Sequence, residues 1–169
     1  MESVRIRKAT NEDKNNVYSI VKTVGFSMEN PDWFCVETPQ KFYDDMIDQK
    51  LSHVVENEAG RLVAAFLVNT DFGYLKSIYS ELGYNDRMLK KCIDFDTAVV
   101  MQNYRGRHLQ LQLGKVLIGN MPRKFKYALC TVHPDNLASL RTMEKLGFRI
   151  VAETDIDYGH RLILQKDLR

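Results

Sequence analysis

Arg105-Gly106-Arg107, within the stretch NYRGRHLQLQL (Asn103 to Leu113), is where this chain could hold an anion. The short apolar run Ala98 to Met101 precedes it and a helical pattern follows, so the turn falls where a strand hands over to a helix. A helix N-terminus presents free backbone N–H groups and the positive end of the peptide dipoles, and both favour a negative charge. Gly106 lets the turn take a conformation that a side chain resists, and Arg105 and Arg107 could add charge-assisted contacts to a pyrophosphate. An ordinary solvated turn uses the same residue types, so the pattern alone leaves both uses open. Cys35, Cys92 and Cys130 lack metal-ligand spacing, and no metal is expected.

The elements that must position this turn follow from periodicity. Val4 and Ile6 alternate with arginines as a half-buried strand. Thr10 opens a helix with Asp13 as capping-box acid, Val17, Ile20, Val21 and Val24 form its stripe, and Gly25 suits its end. Thr38-Pro39 starts a second helix that buries Phe42, Tyr43, Met46 and Ile47, after the aromatic loop SMENPDWFCVE. Apolar stretches at Leu51–Val55 and Leu62–Val68 flank the turn signal Asn57–Gly60 and predict an antiparallel hairpin. A helix through Leu75, Ile78, Tyr79 and Leu82 is expected before Gly83, and then a strand over Cys92–Met101. The next helix buries Leu109, Leu113, Val116 and Leu117, followed by a strand over Phe125–Val132. Asn136 to Gly147 bounds a further helix, and Phe148–Glu153 and Arg161–Lys166 form a last strand pair. The connection from Cys92–Met101 to Phe125–Val132 is long enough for a parallel crossover. The class is therefore α+β, with a mixed, mostly antiparallel central sheet and flanking helices.

Residues 1–169 are long enough for one domain with a substantial core and too short for two ordinary ones. A composition 44% hydrophobic and 27% charged is that of a soluble globular protein. A net charge of +2 without a basic block points to neither nucleic acid nor membrane as a partner. No apolar run approaches the roughly 20 residues that span a bilayer, and MESVRIRKATNED has no apolar signal-peptide region. With an odd number of scattered cysteines, the expected location is the cytoplasm.

TAVVMQNYRGRHLQLQL resembles the acyl-CoA-binding motif of the GNAT N-acetyltransferase superfamily, in which a Tyr-Arg-Gly-type turn joins a strand to a helix. Further on, LCTVHPDNLASLRTMEKLGF resembles the second signature of the same superfamily: a strand, Asn136, Ser139 three positions later, and a helix ending in Gly147-Phe148. The order of elements over essentially the whole chain is similar as well. The resemblance implies a sheet whose two parallel strands splay apart around acetyl-CoA, the acyl donor. It places the backbone of Val99, Val100 and Met101 along the pantetheine arm, and Arg105, Gly106, Arg107, His108, Leu109 and Gln110 around the pyrophosphate. Asn136 falls near the thioester and Ser139 on the following helix, although Asn136 would also serve as a plain helix N-cap.

The implied reaction is transfer of an acetyl group to a primary amine of a small molecule, by direct attack on the thioester. Asp94 and Asp96, two apart on one strand face, are candidates to take the amine proton, with Asp96 preferred and His133 a further possibility; salt-bridged or solvated surface acids are the alternative. Trp33, Phe34 and Tyr158 would wall the acceptor site. Three departures from the family pattern stand out. His108 and Gln110 occupy positions that are usually glycine or alanine, and Met143 lies where many members place a tyrosine that protonates the leaving thiolate. Tyr104 and Tyr158 are the substitutes by sequence. Met143 and His108 also suggest the alternative of a non-catalytic acyl-CoA-binding sensor, and a homodimer is compatible with the resemblance.

Overall fold

The computed structural model describes residues 2–169. Seven strands form one sheet in the order β1-β2-β3-β4-β5-β7-β6. They are β1 (Val4–Lys8), β2 (His53–Asn57), β3 (Leu62–Asn69), β4 (Cys92–Val100), β5 (Tyr127–Val132), β6 (Arg149–Ile156) and β7 (Gly159–Asp167). All neighbours are antiparallel except β4 and β5, which are parallel. That parallel contact covers only Cys92–Asp94 against Tyr127–Leu129, although both strands run further. Beyond it they part.

Helices cover both faces. Helices α5 (Leu109–Gly119) and α6 (Leu137–Lys145) bury Leu113, Leu117, Leu140 and Met143 against Ile93, Phe95, Ala128 and Cys130. On the other face α1 (Lys14–Phe26) and α2 (Gln40–Asp48) bury Val17, Val21, Met46 and Ile47 against Ala65, Leu67 and Val99. Helix α3 (Phe72–Ile78) and the short α4 (Asp86–Leu89) seal the sheet around Leu129 and Ile163. A strand buried on both faces reads as a continuous apolar run, and β3, LVAAFLVN, is buried at every position.

Three local expectations change. Asp13 receives the Thr10 N–H as expected, but residues Asn11–Asp13 form a 3-10 turn ahead of α1. Gly25 does not end α1, which runs on to Phe26; a Cβ at Gly25 would lie 2.7 Å from Val36 and 3.0 Å from Phe34. That glycine is a close-approach site, and it lets the aromatic loop after α1 fold back onto the helix. The strand pair at the C-terminal end is a tighter hairpin than the sequence suggests, with Ile156 opposite Gly159 and only Asp157-Tyr158 between them.

Candidate active site

The turn before α5 is fixed from outside. Tyr104 donates its hydroxyl hydrogen to Glu2 at 2.5 Å and accepts from the Asn57 amide at 3.0 Å. Arg107 lies over the Tyr104 ring, 5.4 Å from its centroid, and donates to the Glu2 carbonyl at 2.7 Å. It is therefore held to the N-terminal segment, whereas Arg105 is exposed and lines the cleft beside the turn. Gly106 and His108 both have positive φ, +76° and +56°. The second is unusual for a residue with a Cβ and marks a strained point at the mouth of the helix. The first helical bond is Gln112 N–H to His108 C=O, so the amides of Leu109, Gln110 and Leu111 have no partner within the helix. Such free amides, with the helix dipole behind them, favour a negative charge at this end.

The parted strands lead inward from this turn. Opposite β3, Leu67 faces Thr97 and Val68 faces Phe95, so Asp96 is the extra residue of a β-bulge in β4. The bulge lies just beyond the last β4–β5 pair, and Asp96 lines the cleft that opens there. The Met101 N–H goes to Val63 C=O at 2.9 Å, and by the alternation of an antiparallel ladder Val99 also turns its backbone to β3 while Ala98 and Val100 turn theirs to the gap. On the far side Cys130, Thr131 and Val132 pair outward with β7 and have no partner across the gap. Two inner strand edges thus face the gap without a strand partner across it.

Carboxylates and tyrosines gather where the gap begins. Asp94 is 2% exposed and accepts from the Tyr79 hydroxyl at 2.5 Å. Burial, with the charge of Asp96 second, pushes its carboxyl well above the usual range. Neither aspartate forms an ion pair among the described residues; Asp94 lies inside the protein, so the surface-acid alternative fails for it, whereas Asp96 is half-buried at the cleft. Asp96 accepts from Tyr74 at 2.7 Å and from Thr97 at 2.6 Å. Asp96 thus carries two donors, with the buried Asp94 directly behind it. Tyr158 lies within reach of the same charges; burial first, then Asp96, pushes its phenol up to about 12.

These parts line one cleft of about 580 Å³, within the range of small-molecule sites. It runs from Arg105 and Gly106 through the strand gap to Trp33, Phe34 and Tyr158. Asn136 and Ser139 line it from α6, and Asn136 is also the N-cap, accepting from the Ser139 N–H at 3.2 Å. The cap that needs no ligand is present.

No family model matches the chain, and no curated protein matches it by sequence. Solved structures do match. An acetyltransferase of the GNAT family from Streptococcus pneumoniae is 13% identical with a TM-score of 0.73, over 99% of this chain and 100% of that one. The yncA protein of Salmonella typhimurium, solved with its cofactor acetyl-CoA, gives 16% and 0.73 over 99% and 95%. A mosquito arylalkylamine N-acetyltransferase-like protein, 5b, gives 14% and 0.72 over 98% and 100%. The fold is that of the GNAT acetyltransferases.

Within the GNAT fold the expected residues divide. Val100, Arg105, Gly106, His108, Leu109 and Gln110 border the cleft, as do Asn136, Ser139, Asp96 and Tyr158. Val99, Met101 and Arg107 do not; Val99 is buried under α1 and α2, and Ala98 takes its place along the gap. Trp33 and Phe34 do stand in the outer wall. Met143 is buried at the base of α6 and supplies no proton. His133 is in a turn, its Nδ1 accepting from the Asp135 N–H at 3.1 Å. Three cleft features carried no local signal: Tyr74, which reaches Asp96 from a separate helix, the bulge, and the buried Arg161 of β7.

Proposed function

We propose that the protein is an acetyl-CoA-dependent N-acetyltransferase that acts on a primary amine of a small molecule. The single observation that carries this is the continuous cleft, which joins an anion-binding helix end to a charged carboxylate through a gap between unpaired strand edges. In this reading the amides of Leu109 and Gln110, with Arg105, hold the pyrophosphate, and the pantetheine lies as an extra strand between Val100 and Thr131. The thioester then stands near Asn136 and the bulge.

The neutral amine attacks the thioester carbonyl, a C–N bond forms, the C–S bond breaks, and CoA leaves as thiolate. The amine proton passes to Asp96, directly or through one water. A thiol has a solution pKa near 8.5, so a phenol at about 12 donates a hydrogen bond to the departing sulfur without surrendering its proton. Tyr158 therefore steadies the thiolate, which is protonated by solvent. The missing tyrosine at Met143 costs little under this scheme, because a thiolate leaves without strong acid help.

Thermal unfolding with acetyl-CoA tests the socket. A ligand at 100 times its Kd adds about 2.7 kcal/mol, which for a domain this size moves Tm by roughly 5–10 °C. The shift should disappear in Gly106→Trp, whose folding is checked by circular dichroism. Turnover is then read as free thiol released with a panel of amines. Asp96→Asn should lower kcat by about 10²–10³-fold while the acetyl-CoA shift persists. The buried Met143 favours one competing reading, a sensor that binds acyl-CoA and transfers nothing; it predicts the shift without any thiol release.

A further inference from the structure

Arg161 is a buried cation in the wall of the cleft. It is 3% exposed, it lines the cleft, and none of the described carboxylates forms an ion pair with it. Two of its donors go to backbone, to the Asp32 carbonyl at 2.6 Å and the His160 carbonyl at 2.8 Å, and its guanidinium lies 4.9 Å from the Tyr158 ring centroid. Those contacts aim the group but leave its charge uncompensated. The Asp32 carboxylate is exposed and forms no ion pair with it, and Tyr158 and Cys35 are the other titratable groups that act on it. A guanidinium removed from water without a carboxylate is costly to keep unless something brings one. Consistent with that cost, burial holds Arg161 below its ordinary range.

A second unfilled donor stands in the same wall. The Trp33 indole N–H is buried and has no acceptor, and Trp33 follows directly on the Asp32 whose carbonyl holds Arg161. Natural proteins leave few buried donors without partners, and one at a cleft points to an occupant. Around these donors the cleft is aromatic: Phe34, Phe42, Tyr43 and Tyr74 line it, and Phe42 and Tyr74 are in contact with ring centroids 5.3 Å apart.

Resting on the transferase reading above, we propose that the acceptor is a free amino acid with an apolar or aromatic side chain, its carboxylate gripped by Arg161 and the indole N–H of Trp33. A planar guanidinium matches a carboxylate in geometry as well as charge. With the carboxylate at this end and the side chain on the aromatic wall, the amine is directed inward, to Asp96. A protein N-terminus offers no carboxylate beside its amine and is excluded from this pocket.

The test uses matched pairs: phenylalanine, leucine and methionine against the amines left when each loses its carboxyl group. Trp33 is the only tryptophan, so its fluorescence reports acceptor binding whether or not transfer occurs. The amino acids should give saturable changes at concentrations at least 100-fold lower than their decarboxylated partners, and the same order should appear in kcat/KM. Arg161→Gln should bring each ratio close to one, chiefly through KM, while its acetyl-CoA thermal shift shows that it folds. Arg161→Lys should recover part of the preference. Trp33→Phe should raise KM for the amino acids about tenfold without lowering Tm, because it removes a donor that has no partner in the free protein. Equal or tighter binding of the decarboxylated amines, no binding of any amino acid, or an unchanged ratio in Arg161→Gln would overturn the proposal. Fluorescence changes without thiol release would sink the transferase reading and leave only an amino-acid-binding pocket at Arg161; thiol release from amines alone would overturn the amino-acid acceptor and leave the transferase reading standing.

Discussion

Two residues in this site hold states that their types resist. Burial beside Asp96 holds the Asp94 carboxyl well above its usual range in the fold, whereas in the unfolded chain it ionises near pH 4. The folded protein therefore binds the extra proton, and stability is fully present below about pH 4 and falls as pH rises toward the elevated folded value. Asp94→Asn keeps the acceptor for Tyr79 and has no proton to lose. Denaturant unfolding of the variant from pH 5 to 8 should show higher stability than the parent at the upper end and a shallower pH slope; a parallel curve would mean that Asp94 is not the source. His108 is the second case, with a Cβ in left-handed backbone. His108→Ala should cost about 1 kcal/mol, since histidine tolerates this region better than alanine. His108→Gly should lie within about 1 kcal/mol of the parent, because relief of strain is offset by a more flexible unfolded chain. If both variants lose equally, the imidazole contacts matter and the backbone does not.

At the level of elements, α6 shows how a structural and a binding role share one side chain. Asn136 caps the helix, so Asn136→Ala should cost about 1 kcal/mol in urea unfolding, and Asn136→Ser, also a good cap, should restore most of it. Any fall in acetyl-CoA affinity that persists in the serine variant then belongs to ligand contact alone. The elements themselves were largely readable from the chain. The hairpin, the crossover through α5 and the turn before that helix follow from periodicity and from Gly, Pro and Asn positions, because those signals are local. What escaped was relational. The bulge at Asp96 exists only in the register between β3 and β4, and nothing in CIDFDTAVV announces it. Tyr74 and Tyr79 look like ordinary helix residues until α3 is laid against β4. Arg161 opens the last strand with no local mark of burial, yet the hairpin and the loop after α1 close over it. The resemblance places Val99 and Met101 along the gap, but which edge of a strand a backbone amide faces is set by the ladder with β3, and theirs face β3.

For the whole molecule, the decisive feature is a sheet in two halves, β1–β4 and β5–β7, joined by three residue pairs of β4 and β5. A cofactor lying in the gap would bridge the halves. Hydrogen exchange should therefore slow on Ala98, Val100 and Thr131 when acetyl-CoA is added, with little change at Tyr127–Leu129, which are already paired. Uniform protection across the sheet would instead indicate general stabilisation by mass action. A protein whose sheet is completed by a metabolite has an abundance that depends on that metabolite. Were acetyl-CoA to bind there, a fall in the cofactor pool would leave the seam open and expose more of the chain to proteases, and the amount of protein would decline before its rate constants changed.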